Sequence, residues 1–208
     1  MTSRVRIVDY GIGNLHSVAR AFATWSRDVK VVSSWEEIPG ATHLVLPGVG
    51  AFGAAMKQIE DRGFTQVLRD YADSGRPMIG LCVGMQILAT TGQEDGSHMG
   101  LDLIKGTVTP LRARDPEAIV PNMGWRVVSG TNIGSPLFDS GSQDSLYYFA
   151  HSFEFKATNQ DEIAATTTFG DVEIVAAVRK GSLWGLQFHP EKSAQGGLAL
   201  IRKFLEDK

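Results

Sequence analysis

The sequence predicts an α/β fold: one domain spanning 1–208, built on a central mixed, mostly parallel sheet flanked by helices, with an antiparallel extension in its second half. Three observations carry this. Short apolar runs alternate with longer amphipathic ones through about residue 105, consecutive strand-like stretches follow, and Gly170-Asp171 and Lys180-Gly181-Ser182 supply hairpin turn signals. Strands that alternate with helices form parallel sheets covered on both faces.

The elements are read in order. Val5 to Val8 is a strand, followed by a glycine-containing loop and a helix from Leu15 to Trp25. Lys30 to Val32 and His43 to Leu46 are strands. A loop over Pro47 to Gly50 leads into a helix whose apolar positions Phe52, Ala55, Met56 and Ile59 recur at helical spacing. A helix over 64–74, a strand over Met78 to Leu81 and a helix over Met85 to Thr90 repeat the pattern. The later strands are Gly106 to Leu111, Trp125 to Ser129, Leu146 to Ala150, Ile163 to Phe169, Val172 to Val178 and Leu183 to Phe188. The last helix, Gly197 to Glu206, sets Leu198, Ile201 and Leu205 on one side, with Arg202, Lys203 and Asp207 elsewhere.

Composition narrows the classes of function. Twenty Lys+Arg against 23 Asp+Glu give a formal charge of −3, too balanced for the dominant field that nucleic acid or an anionic membrane would require. Small molecules and proteins are the expected partners. A single cysteine excludes an intrachain disulfide, and no apolar run approaches the roughly 18 residues of a membrane span, so a cytoplasmic location is expected. With 23 glycines in 208 residues, well above the roughly 7% of average proteins, several positions of unusual backbone geometry are expected.

The cysteine, Cys82, lies between Gly80 and Gly84, after an apolar strand and before a helix. This is the cysteine counterpart of the nucleophile elbow, where neighbours without Cβ atoms make room for a sharp turn. A helix amino terminus there would stabilise a thiolate, and the Val83 amide would face a reacting carbonyl oxygen. A structural cysteine packed between two glycines is the competing reading. His189 and Glu191 follow the apolar strand ending at Phe188. Side chains two apart in extended backbone share a side, and Pro190 is expected to keep the segment out of helix, so the carboxylate reaches the imidazole and fixes its tautomer.

Pro47-Gly48-Val49-Gly50 is a strand-to-helix turn whose glycines allow backbone amides, Val49 among them, to point inward at a negative oxygen and permit a peptide flip. Asp9 to His16 resembles a dinucleotide loop but has only two of three glycines and no acidic ribose ligand about 20 residues on. His16, His43, His98 and His151 show no metal-ligand pattern. Neither cofactor nor metal is expected.

Together these motifs resemble the triad-type, class I glutamine amidotransferases: GLCVGMQ at 80–86, PGVG at 47–50 and FHPEKS at 188–193. Within them the chain looks most like glutaminase subunits of imidazole glycerol phosphate synthases, through DYGIGNLHS at 9–17, PNMGW at 121–125 and YFAHSF at 148–153. The resemblance implies Cys82 as nucleophile, His189 as base and Glu191 as its orienter. It implies oxyanion amides at Val49 and Val83, and glutamine held by Gly50, Gln86, Glu94, His151, Ser152 and Phe153. It further implies a separate (β/α)₈ cyclase subunit as partner in a heterodimer, with Asn14, Met123 and Trp125 toward the interface. Core packing is the competing reading of Trp125. Asn122 stands where histidine is frequent before the MGW triplet, and Phe153 where tyrosine is frequent after HS. Three other functions stay open: the glutaminase of another synthase, such as anthranilate or aminodeoxychorismate synthase; a non-catalytic module whose Cys82 senses oxidants; and a free-standing hydrolase with high turnover and no partner. The GHQ and PGPG motifs usual in those other glutaminases are absent, since Met85 and Val49 occupy the diagnostic positions.

Overall fold

Segments His43–Gly48 and Met78–Cys82 are buried at every residue, which a strand achieves only when both faces of its sheet are covered. The computed structural model describes residues 3–115, 117–134, 136–138 and 145–206. In chain order these form β1 (Arg4–Val8), α1 (Leu15–Ala23), β2 (Asp28–Val32), β3 (His43–Gly48), α2 (Phe52–Asp61), α3 (Phe64–Asp73), β4 (Met78–Cys82) and α4 (Val83–Gln86). Then follow β5 (Thr91–Gly92), β6 (His98–Met99), β7 (Gly106–Pro110), β8 (Asn122–Gly130), β9 (Ser145–His151) and β10 (Phe153–Ala157). Strands β11 (Ile163–Phe169), β12 (Val172–Lys180) and β13 (Leu183–Leu186) and helix α5 (Ala194–Glu206) complete the chain.

Among the described residues one sheet has nine strands in the order β2-β1-β3-β4-β13-β12-β11-β8-β9. Pairings from β2 to β13 are parallel and those from β13 to β9 antiparallel, as the change in sequence pattern predicts. Alternate residues of the central strands enter two separate cores. Leu44, Leu46 and Met78 face α2 and α3, whereas Val45, Ile79 and Leu81 face α1 and α5. Phe52, Ala55, Met56 and Ile59 of α2 all lie in the first core. Helix α5 buries Leu200, Ile201 and Phe204, with Leu198 and Leu205 half-buried at its margin. Asp207 lies outside the described residues. No described helix is long and apolar enough to cross a membrane.

One expectation fails. The helix expected over Met85 to Thr90 is a single turn, Val83–Gln86, because the carbonyls that would continue it are taken elsewhere. Leu101 N–H bonds to Ile87, Leu103 and Ile104 bond to Leu88, and Asp102 bonds to Ala89. The antiparallel extension is present as expected, and beside it the described residues form a separate four-stranded sheet, β10-β7-β5-β6, that the sequence pattern does not distinguish. Strands β5 and β6 are two residues long and show no period, and only Ser152 separates β9 from β10, so the crossing between sheets leaves no mark in the pattern.

The glycines around Cys82 are demanded by packing. A Cβ at Gly80 would strike the Gly84 carbonyl, and one at Gly84 would strike the Leu46 carbonyl of β3, both backbone atoms that cannot swing away. Gly84→Ala is expected to cost about 3 kcal/mol in denaturant unfolding, against about 1 kcal/mol for Gly75→Ala, where only a left-handed φ of 72° opposes the methyl.

Candidate active site

Register brings the three motifs together. Gly48 pairs with Cys82 across β3 and β4, and Leu186 pairs with Leu81 across β13 and β4, so the loop over Pro47 to Gly50, the cysteine and the histidine segment all leave the carboxyl ends of adjacent parallel strands. Crevices at such strand ends are where open α/β sheets bind ligands.

Cys82 has φ 54° and ψ −111°, a left-handed conformation that costs a non-glycine residue on the order of 1–3 kcal/mol and persists only where its surroundings enforce it. The enforcement comes from β4 on one side and the α4 turn on the other. A helix of one turn has little dipole, so the thiolate support expected from it reduces to the free N–H groups at its start, that of Val83 first. The sulfur lies 4.0 Å from the Ala150 carbonyl, and Gln187 Nε2 donates to it at 3.9 Å.

His189 Nδ1 donates to Glu191 Oε1 at 2.9 Å with both side chains nearly buried, and Cys82 lies with the imidazole on the wall of one cavity. The contact is as expected, but its backbone differs. Pro190 opens a 3₁₀ turn, Pro190–Lys192, instead of keeping the chain out of helix, because proline's fixed φ suits a first helical position. His189 stays extended (φ −103°, ψ 95°), and the turn carries Glu191 back beneath it. Burial works against the imidazolium. Hydrogen bonds and charge from Cys82 and Glu191 outweigh that cost and raise the His189 pKa to about 9. The proton therefore rests on the imidazole at neutral pH.

A cavity of about 510 Å³ opens over these groups. Cys82, Val83, His189, Val49 and Gly50 line one part of it. Gln86, Glu94, His151, Ser152, Phe153 and Met123 line the rest. Glu191 stands behind His189, where a small adjoining cavity also touches Asn14 and Val49. Met123 lines the larger cavity and Asn14 the smaller, and Val49 lines both. Trp125 is 46% exposed and meets only the edge of Tyr148, so it does not belong to the core. Cys82 itself is 3% exposed, open to the cavity but withdrawn from the outer surface that a peroxide sensor would present.

Several lining residues do more than face the cavity. Glu94 Oε2 accepts the Phe52 N–H at 2.7 Å, capping α2 just beyond the Val49 loop. The Phe153 carbonyl accepts from Gln86 Nε2 at 3.2 Å and from His151 Nδ1 at 2.7 Å, so this position acts through its backbone. His151 Nε2 in turn accepts from Asn122 Nδ2 at 2.9 Å, and Asn122 is wholly buried, facing inward. Burial outweighs the bond to Phe153 and lowers the His151 pKa to about 4, keeping the ring neutral. Among the described residues no cluster of three or more His, Cys, Asp or Glu is arranged to hold a metal.

Four contributors escaped the sequence reading. Tyr10 donates its hydroxyl to the Pro47 carbonyl at 2.6 Å, tying the start of the loop over Pro47 to Gly50 to β1. Ser193 donates to the His189 carbonyl at 2.6 Å and accepts the Tyr148 N–H at 2.9 Å, fixing the histidine's backbone against β9. Asn122 orients His151, and Gln187 reaches the sulfur. Only Gln187 carried a legible signal, its place two residues before His189 on an extended chain.

A cysteine in an elbow, an imidazole braced by a glutamate and a glycine-rich loop beside them define an amidotransferase-type site, and comparison with known proteins agrees. Residues 6–208 match the family described as glutamine amidotransferase class-I, and the chain belongs to that family. It is 39% identical to the imidazole glycerol phosphate synthase subunit HisH 2 of Nitrobacter winogradskyi over 98% of both chains. It is 41% identical to the corresponding HisH subunit of Zymomonas mobilis, over 99% of this chain and 96% of that one. The PurLQS structure from Thermotoga maritima shares the fold, with a TM-score of 0.77 at 17% identity over 99% of both chains.

The neutral His151 sets a pH prediction. Its folded pKa lies below the ordinary value of 6.5, so the unfolded chain binds the extra proton first; the stability this gives is complete above about pH 6.5 and drains away as pH falls toward about 4. Thermal unfolding is expected to show that acid-side loss, and His151→Gln to flatten it.

Proposed function

We propose that this single-domain protein is the glutaminase subunit of an imidazole glycerol phosphate synthase. It hydrolyses glutamine through a thioester on Cys82 and passes the ammonia to a (β/α)₈ cyclase subunit, which forms imidazole glycerol phosphate and aminoimidazole carboxamide ribotide in histidine biosynthesis. The observation that carries the chemistry is the chain Glu191–His189–Cys82 at the wall of a cavity large enough for an amino acid. The near full-length identity to subunits of that name supports the assignment to this synthase.

The proton's resting place orders the steps. Cys82 thiolate attacks the amide carbon of glutamine, and amides of Val83 and Val49 receive the oxyanion. As the S–C bond forms the sulfur loses its charge, and with it one of the two supports of the high His189 pKa. The imidazolium then gives its proton to the departing nitrogen, the C–N bond breaks, and ammonia and the γ-glutamyl thioester result. Neutral His189 takes a proton from water, whose oxygen attacks the thioester. The C–S bond breaks, glutamate leaves, and the thiolate–imidazolium pair is restored.

In this reading Gly50, Gln86, Glu94, His151, Ser152 and Phe153 shape the glutamine pocket, Gln86 and His151 partly by holding the Phe153 carbonyl in place. Met123, 58% exposed, lines the cavity; Trp125, two residues along β8, is exposed as well; and Asn14 lines the smaller cavity together with Val49. A cyclase docked over these residues would cover the cavity mouth and meet the loop that completes the oxyanion hole. Ammonia freed there is shielded from the water that would protonate it.

Glutamine hydrolysis, measured with and without the cyclase and its nucleotide ligand, is expected to be strongly stimulated by the partner. High turnover by the isolated chain, or stimulation by a chorismate-using subunit instead, would oppose this assignment. Cys82→Ala and His189→Ala are each expected to lower the stimulated rate by at least about 10³-fold. The rate of the unmodified complex is expected to fall as pH rises through about 9, where His189 loses its proton, and Glu191→Gln to move that limb to lower pH.

A further inference from the structure

We infer that Gln187 is a positioning residue for the nucleophile, a fixed amide donor to the Cys82 sulfur in addition to the shuttling imidazole; this rests on Cys82 being the nucleophile.

The backbone places it. Beyond β13 the chain stays extended: Gln187 N–H bonds to the Ala176 carbonyl of β12, and His189 N–H bonds to the Tyr148 carbonyl of β9. Side chains at 187 and 189 therefore share one side of the chain, and that side meets Cys82. Phe188, between them, points into the other core, stacked on Tyr147 with ring centroids 4.2 Å apart. This packing opposes any rotation of the segment that would withdraw either polar side chain.

The amide of Gln187 is also held in one orientation. Its side chain is fully buried, and its Oε1 accepts Gln86 Nε2 at 3.1 Å, while the same Gln86 nitrogen donates to the Phe153 carbonyl at 3.2 Å. Gln86 thereby presents a donor whose direction is set by a backbone atom. A flipped Gln187 would oppose its NH₂ group to that of Gln86 and cost Gln86 one of its two acceptors, a costly arrangement in a buried site. With its oxygen committed, its Nε2 is left toward Cys82 Sγ at 3.9 Å, a long contact suited to a large, polarisable sulfur.

The two donors on the sulfur differ in kind. His189 must release its proton to the leaving nitrogen and recover it from water, so its support of the sulfur varies through the cycle. Gln187 has no proton to lose at these pH values. It favours the thiolate over the thiol before attack and steadies the same thiolate as leaving group when the thioester is hydrolysed. No bond to Gln187 forms or breaks.

The test is the pH dependence of Cys82 alkylation by iodoacetamide, read on the Cys82 peptide by mass spectrometry in the full chain. Gln187→Met keeps the volume and removes the donor. Gln187→Glu keeps the acceptor for Gln86 and turns an oxygen toward the sulfur. The other titratable groups around the sulfur are unchanged in both: His189 and Glu191, Tyr10 after β1, His151 at the end of β9, and Glu94 and Lys192 on the cavity wall. The midpoint of alkylation is expected to move up by about one pH unit in Gln187→Met, a roughly tenfold slower reaction below the midpoint, and further in Gln187→Glu. An unmoved midpoint with a lowered melting temperature would overturn the inference by making Gln187 structural only. Should Gln187→Met not fold, Gln86→Met, which frees the Gln187 amide to rotate, is expected to shift the midpoint upward by a smaller amount, and no shift there would be equally contrary. Alkylated wild-type chain that still hydrolyses glutamine would instead defeat the nucleophile assignment itself.

Discussion

The left-handed bend at Cys82 is the constraint on which the site depends. A residue with a side chain is held at φ 54° where β4 gives way to a single helical turn, and the room for that turn exists only because positions 80 and 84 carry no Cβ. Gly84 approaches the backbone of β3 so closely that the cysteine bend and the loop over Pro47 to Gly50 are parts of one packed unit. Tyr10 extends that unit to β1 through the Pro47 carbonyl, and the pairing of β13 with β4 brings in the histidine segment. The bend lifts the sulfur out of the strand and sets it at the wall of the cavity.

Electrostatics at the site follow from what the fold buries together. Burial alone would deprotonate an imidazole, as it does at His151, whose partners are a neutral amide and a backbone carbonyl. At His189 a carboxylate and a sulfur reverse the outcome. Two histidines that share a cavity wall thus differ by about five pH units in affinity for a proton, one held near 4 and the other near 9. The first is a fixed piece of the wall. The second keeps its proton at neutral pH through its hydrogen bonds and charge interactions with Cys82 and Glu191.

Much of this was legible in the sequence, and the reasons differ by element. Strands β3 and β4 announced themselves as continuous apolar runs, and the elbow and the loop over Pro47 to Gly50 as glycines at fixed offsets, because those signals are local and steric. The contact between His189 and Glu191 was anticipated for a reason that does not hold, since a 3₁₀ turn brings the carboxylate back where an extended chain was expected. The truncation of α4 was hidden because it depends on carbonyls captured by residues 101–104, and the second sheet because its strands are too short to show a period. Tyr10, Asn122 and Ser193 each make a hydrogen bond to a partner 29 to 45 residues away, a separation at which a single sequence carries no signal.

The proposed function requires a covalent glutamyl intermediate on Cys82. The direct measurement is mass spectrometry of the protein, acid-quenched during turnover of glutamine in the stimulated complex. A gain of one glutamyl group on the peptide containing Cys82 is the predicted result. Steady glutamine hydrolysis with that peptide unmodified, or with the glutamyl group on another residue, would contradict it.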